Sequence, residues 1–140
     1  MIFLRIKGVT SDGHAYIQAF ISSPLLREKP APIIFLIDLG ATTTTILEGD
    51  CRRLGIDCSK LQKSQNSIIA AGGKIETYIL PDVTLLFETD KGNYIIEKIE
   101  KIDVIKPRRD SILLPFSLLG VDILSRFKLV YTKDQVFLEK

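Results

Sequence analysis

The sequence predicts a mostly β domain, barrel-like or sandwich-like. Short runs of alternating apolar and polar residues recur along all 140 residues, with turn signals between them. Only two stretches space apolar residues as a helix would. No apolar run approaches the roughly 18 residues of a membrane span. Neither an internal repeat nor a low-complexity linker divides the chain, so one domain over residues 1–140 is expected, long enough to bury a core.

The elements follow in order. "MIFLRIKGV" alternates Ile2, Leu4 and Ile6 with Phe3, Arg5 and Lys7, "SDG" turns the chain, and "HAYIQAFIS" alternates again through Ala15, Ile17 and Ala19. Together they predict a β-hairpin. "REKPAP" is a proline-bearing loop and "IIFLI" a short buried strand. In "ILEGDCRRLG", Leu47, Cys51 and Leu54 fall at helical spacing. Glu48 and Asp50 lie early, Arg52 and Arg53 late, and Gly55 suits the C-terminal cap, so a short helix is expected near Leu47 to Leu54. "AAGG" reads as a hairpin tip, and "DKGN" as a turn between two β-rich runs. "KIDVIK" alternates again, and "SILLPFSLLG" is apolar almost throughout. "VDILSRF" is the second helical stretch, through Val121, Leu124 and Phe127, and "KLVYTKDQVFLEK" closes with a hairpin around "TKDQ".

Charge and composition exclude several functions. With 19 basic and 17 acidic side chains the net charge is +2, which by itself implies no nucleic-acid surface. The one basic run, "KPRRD" from Lys106 to Asp110, is short and reads as a solvated loop. "MIFLRIKG" has neither a charged leader nor a small-residue cleavage site, so a cytoplasmic location without membrane attachment is the expectation. Cys51 and Cys58 make neither a disulfide framework nor a zinc site, and reduced thiols are expected. His14, in the turn "SDGH", is the single histidine. A histidine-based nucleophilic mechanism would have to use it, and no neighbouring motif supports that. No metal or cofactor is expected.

One stretch, "APIIFLIDLGATTTTI", raises a sharper question. An apolar strand runs straight into Asp38, Leu39 and Gly40, and then into four consecutive threonines. Either Asp38 only opens a turn, or the strand exists to hold a carboxylate in a dry place.

"FLIDLGATTTTI" resembles the active-site segment of the retropepsin-like aspartic proteases, in which an apolar strand leads into Asp-Thr-Gly-Ala and, three residues later, Thr or Ser. Asp38, Gly40, Ala41, Thr44 and Ile46 fit that pattern. "LLGVDILSRFKLVY" resembles the late Gly-x-Asp/Asn element of the same family, with Leu118, Leu119, Gly120, Asp122 and Leu124 in place. "AAGGK", Ala70 to Lys74, falls where the glycine-bearing flap would be, although a plain hairpin tip accounts for it as well. The resemblance spans Ile2 to Glu139 and implies a retropepsin-like acid-protease barrel, a single-lobed subunit with one or two short helices. A helix between active-site loop and flap also occurs in cellular and microbial members.

The resemblance implies a chemistry. Peptide hydrolysis by this route uses two carboxylates across a bound water, one acting as general base while the other donates a proton to the scissile carbonyl. This chain carries one such motif, so Asp38 would be matched by Asp38 of a second copy across a two-fold axis, giving a homodimer acting on a peptide or unfolded protein. Gly40, Ala41, Thr42 and Thr43 in the loop and Ala71, Gly72 and Gly73 in the flap would face substrate. Leu39, Thr44, Gly120 and Asp122 would support the site, Asp122 being structural in this family. Leu39 departs from the pattern. The family's hydroxyl at that position bonds across to the opposite subunit, which leucine cannot do. The alternative expectation is therefore a catalytically inactive dimer that serves as a peptide-binding or scaffold module.

Overall fold

A computed structural model describes residues 3–26, 30–64, 68–70, 73–106 and 116–140. Strands dominate. They are β1 (Arg5–Lys7), β2 (Val9–Ser11), β3 (His14–Ser22), β4 (Ala31–Ile37), β5 (Thr45–Leu47), β6 (Gln62–Lys63), β7 (Ile68–Ala70), β8 (Gly73–Glu88), β9 (Tyr94–Lys106), β10 (Ser117–Leu119), β11 (Lys128–Tyr131) and β12 (Val136–Glu139). Two short helices, α1 (Glu48–Arg53) and α2 (Val121–Leu124), complete the set with a 3-10 turn at Cys58–Lys60.

The strand period decides what each strand buries. On β3, Ala15, Ile17, Ala19 and Ile21 are buried, while His14 and Gln18 are exposed. On β4, Ile33 and Phe35 join them in the core. The larger sheet runs β2-β3-β4-β10-β5-β9-β8-β6, with β7 paired to β8. β3 also pairs with β8, through Phe20–Leu86, Ile21–Leu85 and Ser22–Thr84. That pairing joins β3, β4, β10, β5, β9 and β8 into a ring around Ile17, Phe35, Ile46, Leu80, Leu85, Phe87, Ile102 and Leu119.

α1 closes as its sequence suggests. Gly55 takes φ +85°. The Gly55 amide donates to the Arg52 carbonyl at 3.1 Å and the Ile56 amide to the Cys51 carbonyl at 2.9 Å, the paired bonds of a Schellman cap. Cys51, Leu54 and Ile56 thereby enter the core against Ile46 and Val104. Both cysteines are free and buried. Burial, and after it the neighbouring Cys58, pushes the Cys51 thiol up to about 12.

Two expectations need correction. The N-terminal run does not form one hairpin arm. It splits at Gly8, whose amide donates to the Val136 carbonyl at 2.9 Å. A Cβ on Gly8 would meet the Tyr16 carbonyl oxygen at 2.4 Å, so the chain bends there without a side chain. β2 alone pairs with β3 around the Asp12–Gly13 turn, while β1 crosses to β12 in a separate three-stranded sheet, β1-β12-β11. Likewise "KIDVIK" is no separate run but the end of a single 13-residue strand, β9, that begins at Tyr94. The closing hairpin around "TKDQ" forms as expected, with Tyr131 opposite Val136.

Candidate active site

β4 and β10 lie side by side and parallel, with Phe35 beside Ser117, Leu36 beside Leu118 and Ile37 beside Leu119. The ladder continues one residue further, because the Asp38 amide donates to the Leu119 carbonyl at 3.1 Å. Asp38 therefore points to the same side of the strand as Leu36, away from Phe35 and the core. Its carboxylate is half-buried and takes a 2.8 Å hydrogen bond from the Gly40 amide. The Ala41 amide closes the turn onto the Asp38 carbonyl at 3.2 Å.

The next residues lock this loop. The buried Thr44 donates its amide to both Asp122 carboxylate oxygens at 3.0 Å and its hydroxyl to one of them at 2.7 Å. The Thr44 hydroxyl accepts in turn from the Gly120 amide at 3.1 Å, and the Val121 amide donates to the Ala41 carbonyl at 2.8 Å. Gly120 has to be glycine. A Cβ there would lie 2.5 Å from the Thr43 carbonyl carbon and 2.9 Å from the Ala41 oxygen, inside the loop backbone. The loop crest, Leu39 to Thr43, faces outward, and Leu39 is 66% exposed.

A continuous face of the sheet leads away from Asp38. Registered partners share a face, so Tyr16, Leu36, Leu118, Thr45, Asp103 and Ile79 form one row across six strands. Leu36 is buried yet does not belong to the main core, as befits a surface turned the other way. At one end of this face Val9, Tyr16, Ile34 and Phe116 wall a largely apolar pocket of about 500 Å³, with the Tyr16 and Phe116 rings 4.9 Å apart. On the other side of Asp38, a hollow of about 390 Å³ lies between Asp38, Leu39, the Gly13–His14 turn, Leu129 and Tyr131.

Of the residues singled out in the sequence, Asp38, Leu39, Gly40, Ala41, Thr42, Thr43, Thr44, Gly120 and Asp122 form one connected group. Ala71 and Gly72 lie outside the described residues. Gly73 opens β8 opposite Ala70, where β7 and β8 pair antiparallel. The sequence reading missed Tyr16, Leu36, Asp103, Phe116 and Leu118 as residues of the face beside Asp38. Alternation alone put Asp103 on the side opposite Ile102 and Val104, but only strand register tells which side adjoins Asp38. Among the described residues no cluster of His, Cys, Asp and Glu is suited to a metal, and no helix is long and apolar enough to cross a membrane.

A retropepsin-like aspartic protease from Rickettsia conorii superposes with a TM-score of 0.64 and 27% identity, over 99% of this chain and 92% of that one. The chain has the retropepsin-like fold. The EIAV protease, solved with the inhibitor HBY-793, is similar to it at a TM-score of 0.56 and 25% identity, over 88% of this chain and the whole of the viral one. No family model matches the sequence. An uncharacterized protein of Rickettsia prowazekii is 27% identical over 122 residues, 85% of this chain. The retropepsin-like chain spans 43% of the length of that relative. The group around Asp38 is a strand-end loop with the sequence Asp-Leu-Gly, braced from behind by Gly120 and Asp122.

Proposed function

We propose that residues 1–140 act as one domain, and that the chain is half of a homodimeric aspartic endopeptidase which hydrolyses peptide bonds through water held between two Asp38 carboxylates. The observation that carries this reading is the state of Asp38. It sits half-buried at the end of an apolar strand, on the open face, in a loop pinned from behind by Thr44, Gly120 and Asp122. One chain supplies one such carboxylate, so the second comes from a second copy. The exposed apolar side chains of Leu39 and Tyr131, beside the half-buried Leu129 and Val130 of the edge strand β11, supply a face for that copy. β12 is the middle strand of the three-stranded sheet, so β1 and β11 are its two edges and either can extend into an inter-subunit sheet. The buried free thiols fit a reducing compartment such as the cytoplasm.

The chemistry needs one proton shared by the pair. The ionised Asp38 takes a proton from water as its oxygen attacks the scissile carbonyl carbon. The protonated Asp38 gives its proton to the carbonyl oxygen. As the gem-diol intermediate collapses, the carbon–nitrogen bond breaks, the first carboxyl gives its proton to the departing amine, and the second carboxylate takes a proton back from a hydroxyl, which restores the pair. The pocket walled by Val9, Tyr16, Ile34 and Phe116 offers an apolar seat for a substrate side chain on the Asp38 face.

A second reading, an inactive dimer that binds peptides, draws on one feature. Leu39 has no hydroxyl to tie the two active-site loops together. One experiment separates the readings. Purified parent and Asp38→Asn are assayed on an unfolded protein substrate across acidic and near-neutral pH, beside light scattering. Cleavage by the parent and a loss of about 10²–10⁴-fold in the variant is expected. Retained cleavage by Asp38→Asn, or a clean monomer at tens of micromolar, would overturn the endopeptidase reading. Thermal protection by a pepstatin-type transition-state analogue without any cleavage would favour the second.

A further inference from the structure

Asp103 lies on β9 in the row that runs from Leu36 through Leu118 and Thr45, so its side chain emerges on the face shared with Asp38. It is half-buried and has neither a hydrogen bond nor an ion pair among the described residues. Every other half-buried or buried carboxylate there is engaged, apart from Asp38 with its lone amide. Glu97 holds Arg126 and Lys140, Glu139 holds Arg5, Asp50 accepts from Ser117, Glu48 holds Arg52 and Asp122 anchors Thr44. Burial is the largest influence on the Asp103 carboxyl and raises it. Lys101, two residues along on the same face, pulls it down without pairing, and the like charge of Asp122 raises it further.

An incompletely solvated carboxylate with no partner is costly unless something cationic meets it. Its immediate neighbours in the row, the buried Thr45 and the half-buried Ile79, offer no charge. The far end of the face is different, with the apolar pocket at Val9, Tyr16, Ile34 and Phe116. The face therefore differs along its length, apolar at one end and carrying the unpaired Asp103 carboxylate, with Lys101 two residues away, at the other.

We infer that Asp103 is a specificity-determining residue that selects a lysine or arginine side chain in the substrate segment seated over Thr45 and Asp103. The inference rests on the peptide-cleft reading of the Asp38 face but not on turnover. A charge-assisted hydrogen bond from an ammonium or guanidinium group would supply the missing partner, and neutral or acidic side chains at that position would leave Asp103 unmatched.

The test uses non-cleavable reduced-amide peptides in which lysine or its uncharged isostere norleucine is placed at each position in turn. Binding to the parent, to Asp103→Asn and to Asp103→Lys is measured by calorimetry, and the corresponding cleavable peptides are assayed beside them. At one position the parent should bind the lysine peptide about tenfold more tightly than the norleucine peptide. Asp103→Asn should erase that difference, chiefly by weakening the lysine peptide, without lowering the unfolding temperature. Asp103→Lys should reverse the charge preference toward glutamate. Equal binding of the two peptides by the parent, a lysine preference that survives in Asp103→Asn, or no binding of either peptide overturns the inference. Asp103-dependent binding without cleavage would overturn the endopeptidase reading and leave this one standing. Cleavage without charge preference would do the reverse.

Discussion

Two neighbouring strands each end near an aspartate, and the two aspartates are treated in opposite ways. β4 delivers Asp38 and β10 delivers Asp122, two residues past its glycine. Asp122 is saturated. It accepts from the Thr44 amide, the Thr44 hydroxyl and the Ile123 amide. Among the described residues Asp38 accepts from the Gly40 amide alone, and it shares the side of the sheet with Leu36, away from the core. The difference teaches how a loop can present a reactive carboxylate at all. One acid is consumed as a fastener so that the strand-end backbone is rigid, and the other is left free because its loop no longer needs its oxygens.

The sharpest way to break that contrast is to remove each carboxylate in turn. Asp122→Ala leaves a buried amide and hydroxyl of Thr44 without their acceptor and should cost about 3 kcal/mol of stability in urea unfolding. Asp38→Asn keeps an oxygen for the Gly40 amide and should stay within about 0.5 kcal/mol of the parent. Equal losses would mean that the two acids are both structural, and the division of roles argued above would fail.

Gly120→Ala attacks the same fastener from the other side. A methyl group 2.5 Å from the Thr43 carbonyl carbon has backbone, not a flexible side chain, in its way. Destabilisation of about 1–3 kcal/mol is expected, with any peptidase activity falling further than stability because the Asp38 loop is what must move. A variant with parental stability and activity would show that the loop yields freely.

These partnerships explain what could be read in advance. The Asp38 motif and Gly120–Asp122 were legible because their spacing and residue types follow a local pattern. α1 was legible because Leu47, Cys51 and Leu54 repeat at helical period and Gly55 ends the run. Gly8 was not, since its reason lies with Tyr16 and Val136, the second far along the chain. β1 alternates as well as β2 does, and nothing local says that Arg5 will face Glu139 rather than the following hairpin. Asp103 was hidden for a related reason. An alternating strand shows that two faces exist, while the identity of each face is a property of the assembled sheet.

Acid titration extends the contrast to carboxylates beyond the loop. At Glu97, burial raises the carboxyl, but hydrogen bonds from Lys140 and Arg126 and their charges outweigh it and hold the group below its ordinary value of 4.5. A group lowered in the folded state stabilises the fold above its unfolded value, and that contribution is lost as pH falls through the lower folded one. Asp103 has the opposite sign. Raised in the folded state, it costs stability at neutral pH, and the cost fades as pH falls through its folded value, above 3.8. Glu97→Gln should therefore flatten the loss of stability below pH 4.5, and Asp103→Asn should raise stability at neutral pH while leaving it unchanged at strongly acidic pH. Thermal melts across pH read both slopes, and a Glu97→Gln curve parallel to the parent would refute the assignment.

The smallest effect on the single chain, and the most informative about the pair, is expected from Leu39→Thr. Leu39 is 66% exposed in the subunit, so the substitution should change the stability of one chain by no more than about 0.5 kcal/mol. In a dimer its position at the crest of the Asp38 loop gives it leverage. A threonine hydroxyl there could bond across to the opposite loop, twice by symmetry, and each such bond contributes about 0.5–1.5 kcal/mol. Directed to holding the two Asp38 carboxylates in register, the pair of bonds corresponds to about 5- to 150-fold in rate or dimer affinity. The opposing tendency is that two leucines meeting at the axis bury apolar surface that threonine would give up. Measuring dimer affinity and peptide cleavage together separates the two. Tighter dimers with faster cleavage mean that the missing hydroxyl limits this site. Weaker dimers mean that the leucines are the glue. A variant that dimerises like the parent and cleaves no faster would show that the contrast between the two aspartates, and not residue 39, governs what the loop can do.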